Sequence, residues 1–218
     1  MRLVIISDTH NRQQKLRLPD GDCLLHCGDL SEGGSGFEIL AALRWMNTLP
    51  YKHKIWIAGN HDIDLDDFPD FEEYVVKKFP KLTYLKDSFV IVDGVKVYGS
   101  PWTRKFNNWG FELGEKELKR KWEIIPEDTD ILMTHTPPMG VLDKTYNNFS
   151  CGCEELYSRV CALKPKYHMF GHIHEARSID YRSNPSTMFI NASIVNYSFN
   201  SLHKAFSVEY ESGEIIEF

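Results

Sequence analysis

Short apolar runs of strand length recur along the first two thirds of the chain, at residues 3–6, 23–26, 55–58, 131–133 and 167–170, with helix-like segments between them. Ile39, Ala42, Leu43 and Met46 follow the i, i+3, i+4, i+7 spacing of one helix face. Cys153, Leu156, Val160 and Leu163 come close to it, with Glu154 and Glu155 in a first turn, where the helix dipole favours carboxylates. Residues 89–92, Asp93-Gly94 and residues 95–98 read as a tight hairpin, because Asp-Gly accepts the positive φ of a type I′ turn. Residues 187–191, 204–210 and 214–217 add strands at the end. Alternating β and α segments, with hairpins in the middle and last third, predict two sheets packed face to face with helices outside. No repeat or low-complexity linker divides the chain, so one domain over residues 1–218 is expected.

Each of the five runs feeds a short polar motif: Asp8-Thr9-His10, Gly28-Asp29, Gly59-Asn60-His61-Asp62, Thr134-His135 and Gly171-His172-Ile173-His174. Ligand sites in α/β sheets gather at the carboxyl ends of strands, where these motifs fall. Asp8 and His10 lie two apart, as do His172 and His174, and in extended chain such pairs project to one side. Asp29, Asn60 and His135 each add one ligand atom, and the glycines before Asp29, Asn60 and His172 are expected to let the chain turn sharply. Taken singly, these motifs are weak, since D-x-H and G-N-H-D also describe ordinary turns. Taken in order, they supply oxygen and imidazole donors for two metal ions and leave His61 over for chemistry. Such donors without thiolate suit Mn, Fe, Zn or Co.

Composition narrows the partners. A net charge of −6 argues against a non-specific grip on nucleic acid or an anionic membrane. No apolar run approaches the ~18–20 residues of a membrane span. The first run is too short for a signal h-region, so a cytoplasmic location is expected. Five cysteines without a C-x-x-C pair disfavour zinc-ribbon and thioredoxin-like chemistry.

The ordered motifs resemble the calcineurin-like metallophosphoesterase superfamily, with its D-x-H, G-D, G-N-H-D/E, H and G-H-x-H pattern, over nearly the whole chain. Five longer strings resemble the metallophosphoesterase domain-containing (MPPED) family more narrowly. They are Tyr98-Gly99-Ser100-Pro101-Trp102, Asn108-Trp109, Thr134-His135-Thr136-Pro137-Pro138, residues 170–175 and Phe189-Ile190-Asn191-Ala192-Ser193. The resemblance implies a four-layer α/β/β/α sandwich of two mixed sheets flanked by helices. It places Asp8, His10 and His174 on one divalent ion, Asn60, His135 and His172 on the other, and Asp29 between them. His61 matches the superfamily's catalytic histidine, and Asp62 the acidic residue that orients its imidazole. The implied reaction is phosphate-ester hydrolysis by in-line attack of a hydroxide shared by two ions. His61 would protonate the leaving oxygen.

Related protein phosphatases carry an arginine after the bridging aspartate, in G-D-x-x-D-R-G. Here the string is Gly28-Asp29-Leu30-Ser31-Glu32-Gly33-Gly34, without the guanidinium fork that would hold a phosphomonoester. Phosphodiesters are therefore expected, with small nucleotide or cyclic-nucleotide diesters favoured by the resemblance. Arg12 lies just past the first motif and is a candidate to reach the phosphate, with an exposed loop arginine as the alternative. Residues 102–111 are rich in aromatics without a helix or strand period, and Asn108 and Trp109 are candidates to read and stack a base. The same aromatics could instead pack the loop onto the domain. The alternatives are a phosphomonoesterase and a non-catalytic scaffold with this fold. His26 is placed behind a metal ligand, His168 within a strand, and His53 and His203 in loops.

Overall fold

A computed structural model describes residues 1–217, so Phe218, the last residue of the expected domain, lies outside the described residues. The first eight strands are β1 (Arg2–Ile6), β2 (Cys23–Cys27), β3 (His53–Ile57), β4 (Thr83–Tyr84), β5 (Ser88–Val92), β6 (Val95–Ser100), β7 (Thr103–Arg104) and β8 (Glu112–Leu113). Then come β9 (Ile131–Thr134), β10 (Tyr167–Phe170), β11 (Ser178–Asp180), β12 (Met188–Asn191), β13 (Phe206–Glu209) and β14 (Ile215–Glu217). The helices are α1 (Gly36–Thr48), α2 (Ile63–Asp67), α3 (Pro69–Lys78), α4 (Glu115–Glu123) and α5 (Glu154–Leu163).

Two six-stranded mixed sheets result, ordered β14-β13-β1-β2-β3-β4 and β11-β12-β10-β9-β6-β5. In each, four parallel strands carry antiparallel partners at the edges. The expected hairpin joins β5 to β6 with Val92 opposite Val95, and Asp93 and Gly94 both take positive φ, 49° and 84°. That is the type I′ requirement.

Side-chain alternation along the strands builds the layers. Leu3, Ile5, Leu25, Ile55 and Ile57 of the first sheet meet Val97, Ile131, Met133 and Met169 of the second in one buried cluster between the sheets. Val4, Ile6, Leu24 and Trp56 face the other way, onto Ile39, Ala42, Leu43 and Met46 of α1 and Val75 of α3. Tyr98, Leu132, Phe170 and Phe189 of the second sheet pack on Leu118 and Trp122 of α4 and on Leu156 and Val160 of α5. The order is therefore helix, sheet, sheet, helix.

The two sheets meet at the ends of β1 and β12. Ser7 pairs with Ser193 in parallel, with Ser7 N donating to Ala192 O at 2.9 Å and Ile194 N to Ser7 O at 2.9 Å. At this seam the carboxyl ends of β1, β2, β3, β9, β10 and β12 converge.

Candidate metal centre

All seven residues expected as ligands come together at the seam. Asp8, His10 and His174 present ligand atoms within 4.8 Å of one another, and so do Asp29, His135 and His172. A third group, His10, Asp29 and His61, overlaps both. Asn60 joins through Oδ1, 3.0 Å from His135 Nε2. Asp29 Oδ2 lies 3.6 Å from His10 Nε2 and 3.3 Å from His135 Nε2, so one carboxylate touches both groups.

The local backbone differs from the extended pairs expected. Asp8, His10, Asn11, Asp29 and His172 all have left-handed φ, between 41° and 70°. Asn, Asp and His tolerate this region better than other side chains, although it still costs energy. The turns, rather than strand alternation, aim Asp8 and His10 into one space. Of the three glycines expected to supply sharp turns, only Gly28 does so, with φ 97°. Gly59 and Gly171 are required for room instead: a Cβ on Gly59 would overlap Asp29 Oδ1, and one on Gly171 would overlap Asp8 Oδ2 and Ser7 Oγ. These glycines form a cradle that a methyl group would fill.

Hydrogen bonds fix which imidazole nitrogen faces inward. A carbonyl can only accept, so Nδ1 of His10 donates to Ser31 O (2.9 Å) and Nδ1 of His135 to Cys27 O (2.8 Å). Nε2 of each ring is thereby turned towards the carboxylates, as in metal-ligating histidines. His10 Nε2 and His174 Nε2 approach to 3.3 Å, an arrangement that needs a proton or a cation between them. Asp8 is itself held by His172 N at 3.0 Å and by Ser193 Oγ at 2.9 Å. Ser193 had no role in the sequence reading, although it lies in the Phe189–Ser193 string.

Burial would raise both carboxyls, yet His174 beside Asp8 and His135 beside Asp29 hold them well below the usual carboxylate range. Burial would likewise lower His135, but Asp29 outweighs it and pushes that imidazole up to about 9. His174 is raised against burial in the same way by Asp8. Burial wins at His10, lowered to about 4, and at His172, lowered to about 3. Paired carboxylates held ionised in a buried pocket call for positive charge. With four imidazoles presenting a nitrogen, an amide oxygen and the glycine cradle, the donor set fits divalent ions.

His61 stands beside this set. Its Nδ1 donates to Glu32 O at 2.8 Å, its backbone N donates to Asp29 Oδ1 at 2.8 Å, and its ring lies 4.6 Å from that of His10. The expectation that Asp62 orients this imidazole is corrected. Asp62 is fully buried, and its carboxylate instead accepts from Gly59 N, Leu30 N, Ser31 N and Ser31 Oγ at 2.9–3.2 Å. It ties down the loop whose Glu32 carbonyl orients His61. A backbone carbonyl is invisible to residue-type reasoning, which is why Glu32 was missed.

Arg12 is occupied: Nη1 lies 2.9 Å from Glu32 Oε2 and 2.8 Å from His10 O, and its guanidinium stacks over Phe199. Phe199 in turn lies about 5 Å from both His10 and His174. Segment 102–111 serves both alternatives. Trp102 and Phe111 pack inward, with Trp102 Nε1 donating to Asp87. Trp109 sets its ring edgewise on His61 at 3.9 Å, and Phe106 lies 5.6 Å from His172. Asn108 is exposed with φ 56°, a turn residue outside the walls of the cavity over the centre. The other histidines fall as follows: His26 Nε2 is 3.0 Å from Thr9 Oγ1, between the candidate ligands Asp8 and His10, and His168 Nε2 is 2.8 Å from Thr134 Oγ1. His53 opens β3 rather than lying in a loop.

A model of the calcineurin-like phosphoesterase family matches residues 1–176. Metallophosphoesterase domain-containing protein 1 of Homo sapiens is 39% identical over 221 residues, covering 90% of this chain and 67% of that protein. A UPF0046 protein of Caenorhabditis elegans is 36% identical over 222 residues, covering 93% and 78%. Among solved structures, TT1561 of Thermus thermophilus aligns with TM-score 0.69 at 14% identity, over 99% of this chain and 96% of that one. Phosphopantetheinyl hydrolase (PptH) from Mycobacterium tuberculosis aligns with TM-score 0.63 at 14% identity, over 90% of each. At such identities these structures show the shared fold alone. Among the described residues no helix is long and apolar enough to cross a membrane. The family match runs through every strand end that carries a candidate ligand, and the chain belongs to the calcineurin-like phosphoesterases, a family of metal-dependent phosphoester hydrolases, alongside metallophosphoesterase domain-containing protein 1.

Proposed function

We propose that this chain, as a single domain over residues 1–218, hydrolyses phosphodiesters, small nucleotide and cyclic-nucleotide diesters in particular, at a two-ion centre. The observation that carries the reading is the position of Asp29, shared by two donor groups with the His61 imidazole beside both. Asp8, His10 and His174 would hold one ion and Asn60, His135 and His172 the other, with Asp29 on both. Mn, Fe, Zn or Co suits these donors. When bound, such ions supply an activated water and neutralise phosphate oxygens.

The chain's own residues do the rest. The Glu32 carbonyl keeps the Nδ1 proton of His61 in place, which leaves Nε2 to carry a second proton to the leaving oxygen. General acid catalysis of this kind contributes roughly a hundred- to ten-thousand-fold. Trp109 packs on the ring and limits its rotation. Asp62 holds the Leu30-Ser31 backbone and so fixes Glu32.

The diester preference is supported by what surrounds Asp29. Gly33 stands where an arginine would clamp a dianionic phosphate, and Arg12 is paired with Glu32 at 2.9 Å. A singly charged diester needs no such clamp. Five cysteines, all free, support a reducing, cytoplasmic setting.

The test is a rate panel on metal-free protein reconstituted with Mn, Co or Zn. Bis(4-nitrophenyl) phosphate and 2′,3′- and 3′,5′-cyclic AMP should exceed 4-nitrophenyl phosphate in kcat/KM by at least about tenfold, the scale of one charge-assisted clamp. The reverse order would make the chain a phosphomonoesterase. No hydrolysis with any metal would make it a scaffold.

A further inference from the structure

The cavity over the candidate ligands continues beyond them into a region of different chemistry. It encloses 520 Å³, the size of a small-molecule site. Its walls run from Asp29, His61 and His172 to Arg104, Lys105 and Phe106. In a chain of net charge −6, two adjacent cations on this wall are not a sample of a generally basic surface.

Both cations have capacity to spare. Arg104 makes two long contacts, Nη1 to Gly152 O and Nη2 to Glu115 Oε1, each 3.4 Å, and a guanidinium has five N–H donors. Lys105 has no ion-pair partner among the described residues, and its backbone N is spent on Leu113 O. Besides Asp29, the cavity wall carries the carboxylate of Glu175, which accepts from Tyr146 N at 2.6 Å. Phe106 is half exposed and meets His172 edgewise, which leaves ring surface open to the cavity.

The position of this triplet relative to the centre is set by backbone bonds. Arg104 lies on β7, which pairs with β8, and Thr103 N donates to Phe111 O at 2.8 Å. One residue before Phe111, Gly110 N donates to the carbonyl of the candidate ligand Asn60 at 3.0 Å. The loop is thus fastened to the residue that would hold an ion.

We propose, resting on the phosphodiesterase reading above, that Arg104, Lys105 and Phe106 form a subsite for a nucleoside that carries a second phosphate group. Preferred substrates are then linear diesters of phosphorylated nucleosides, above diesters whose sole charge is the scissile phosphate. Phe106 takes the base by stacking. The Arg104 fork and the Lys105 ammonium take the additional phosphate.

The experiment compares kcat/KM for the dinucleotide ApA and its 5′-phosphorylated form pApA, with diester cleavage followed by chromatography. The reconstituted wild-type enzyme should prefer pApA by about tenfold or more, the worth of a charged hydrogen bond. Lys105→Ala and Arg104→Ala should bring the ratio towards one, mainly through KM, and Lys105→Arg should keep it. Equal kcat/KM for the two dinucleotides in the wild type, or a ratio that both alanine variants preserve, overturns the subsite. Wild-type cleavage of ApA and bis(4-nitrophenyl) phosphate with no preference for pApA removes the subsite alone. Failure to cleave any diester removes the phosphodiesterase reading as well.

Discussion

Loading the metal-free centre with divalent ions at pH 7 should release protons, in a number that follows from the geometry. Asp29 Oδ2 lies 3.3 Å from His135 Nε2 and, against the effect of burial, pushes that imidazole up to about 9. A group with that pKa is about 99% protonated at pH 7. The Nδ1 proton of His135 is committed to the Cys27 carbonyl, so the proton that must leave is on Nε2, where the ion would bind. His174, raised by Asp8 at 3.3 Å, adds to the count. Loading should therefore release between about one and two protons from these imidazoles, and up to one more from a water that the ions would activate. Calorimetric titration in buffers of different ionisation enthalpy reads this number as a slope. Stability follows the same proton. The folded-state pKa of His135 lies above its ordinary 6.5, so the stabilisation is complete below about 6.5 and lost as pH rises through about 9. A shift of that size corresponds to about 3 kcal/mol. The metal-free protein should lose about that much across this window in urea unfolding, and the loaded protein should keep it. No proton release at pH 7, or a flat stability profile without metal, would refute the exchange of protons for ions.

Three further outcomes are expected. In Asp62→Asn the amide nitrogen faces at least one buried backbone donor in either orientation, Ser31 N on one side or Leu30 N and Gly59 N on the other, which lowers stability by about 1–3 kcal/mol. A urea midpoint shift worth under ~1 kcal/mol would show that the loop is not held there. His61→Ala should keep its metals and lose about a hundred- to ten-thousand-fold in turnover, and wild-type rates would remove His61 from the chemistry. Trp109→Ala should slow nucleotide and aryl diesters equally, because its ring rests on His61. A loss confined to nucleotides would make it a base-stacking residue instead.

The buried strands and the candidate ligand set were legible for one physical reason. The runs feeding the five motifs are covered on both faces, as in the fully buried β2 and β10, and they stop abruptly at polar residues where the sheets meet. Helices α3 and α4 left weaker signals. Only Leu118 and Trp122 of α4 are buried, amid seven other residues of Glu, Lys and Arg, and α3 buries only Val75. The two- and three-residue strands β4, β8 and β11 are at most half-buried and carry no alternation long enough to read. Within the site, what escaped notice acts through backbone or across the seam: the Glu32 carbonyl on His61, the Ser31 carbonyl on His10, and Ser193 on Asp8. Residue type marks none of these. The role of Asp62 was misplaced because adjacency to His61 in sequence does not bring its carboxylate to the ring.

The central claim is a two-ion centre joined by Asp29, and the most direct measurement is hydrolysis of bis(4-nitrophenyl) phosphate during stepwise addition of Mn to metal-free protein, with bound metal counted at each step. The expected result is activity that saturates at two equivalents per chain, and an Asp29→Ala variant that holds fewer ions and is inactive. Full activity at one equivalent, or in Asp29→Ala, would contradict it.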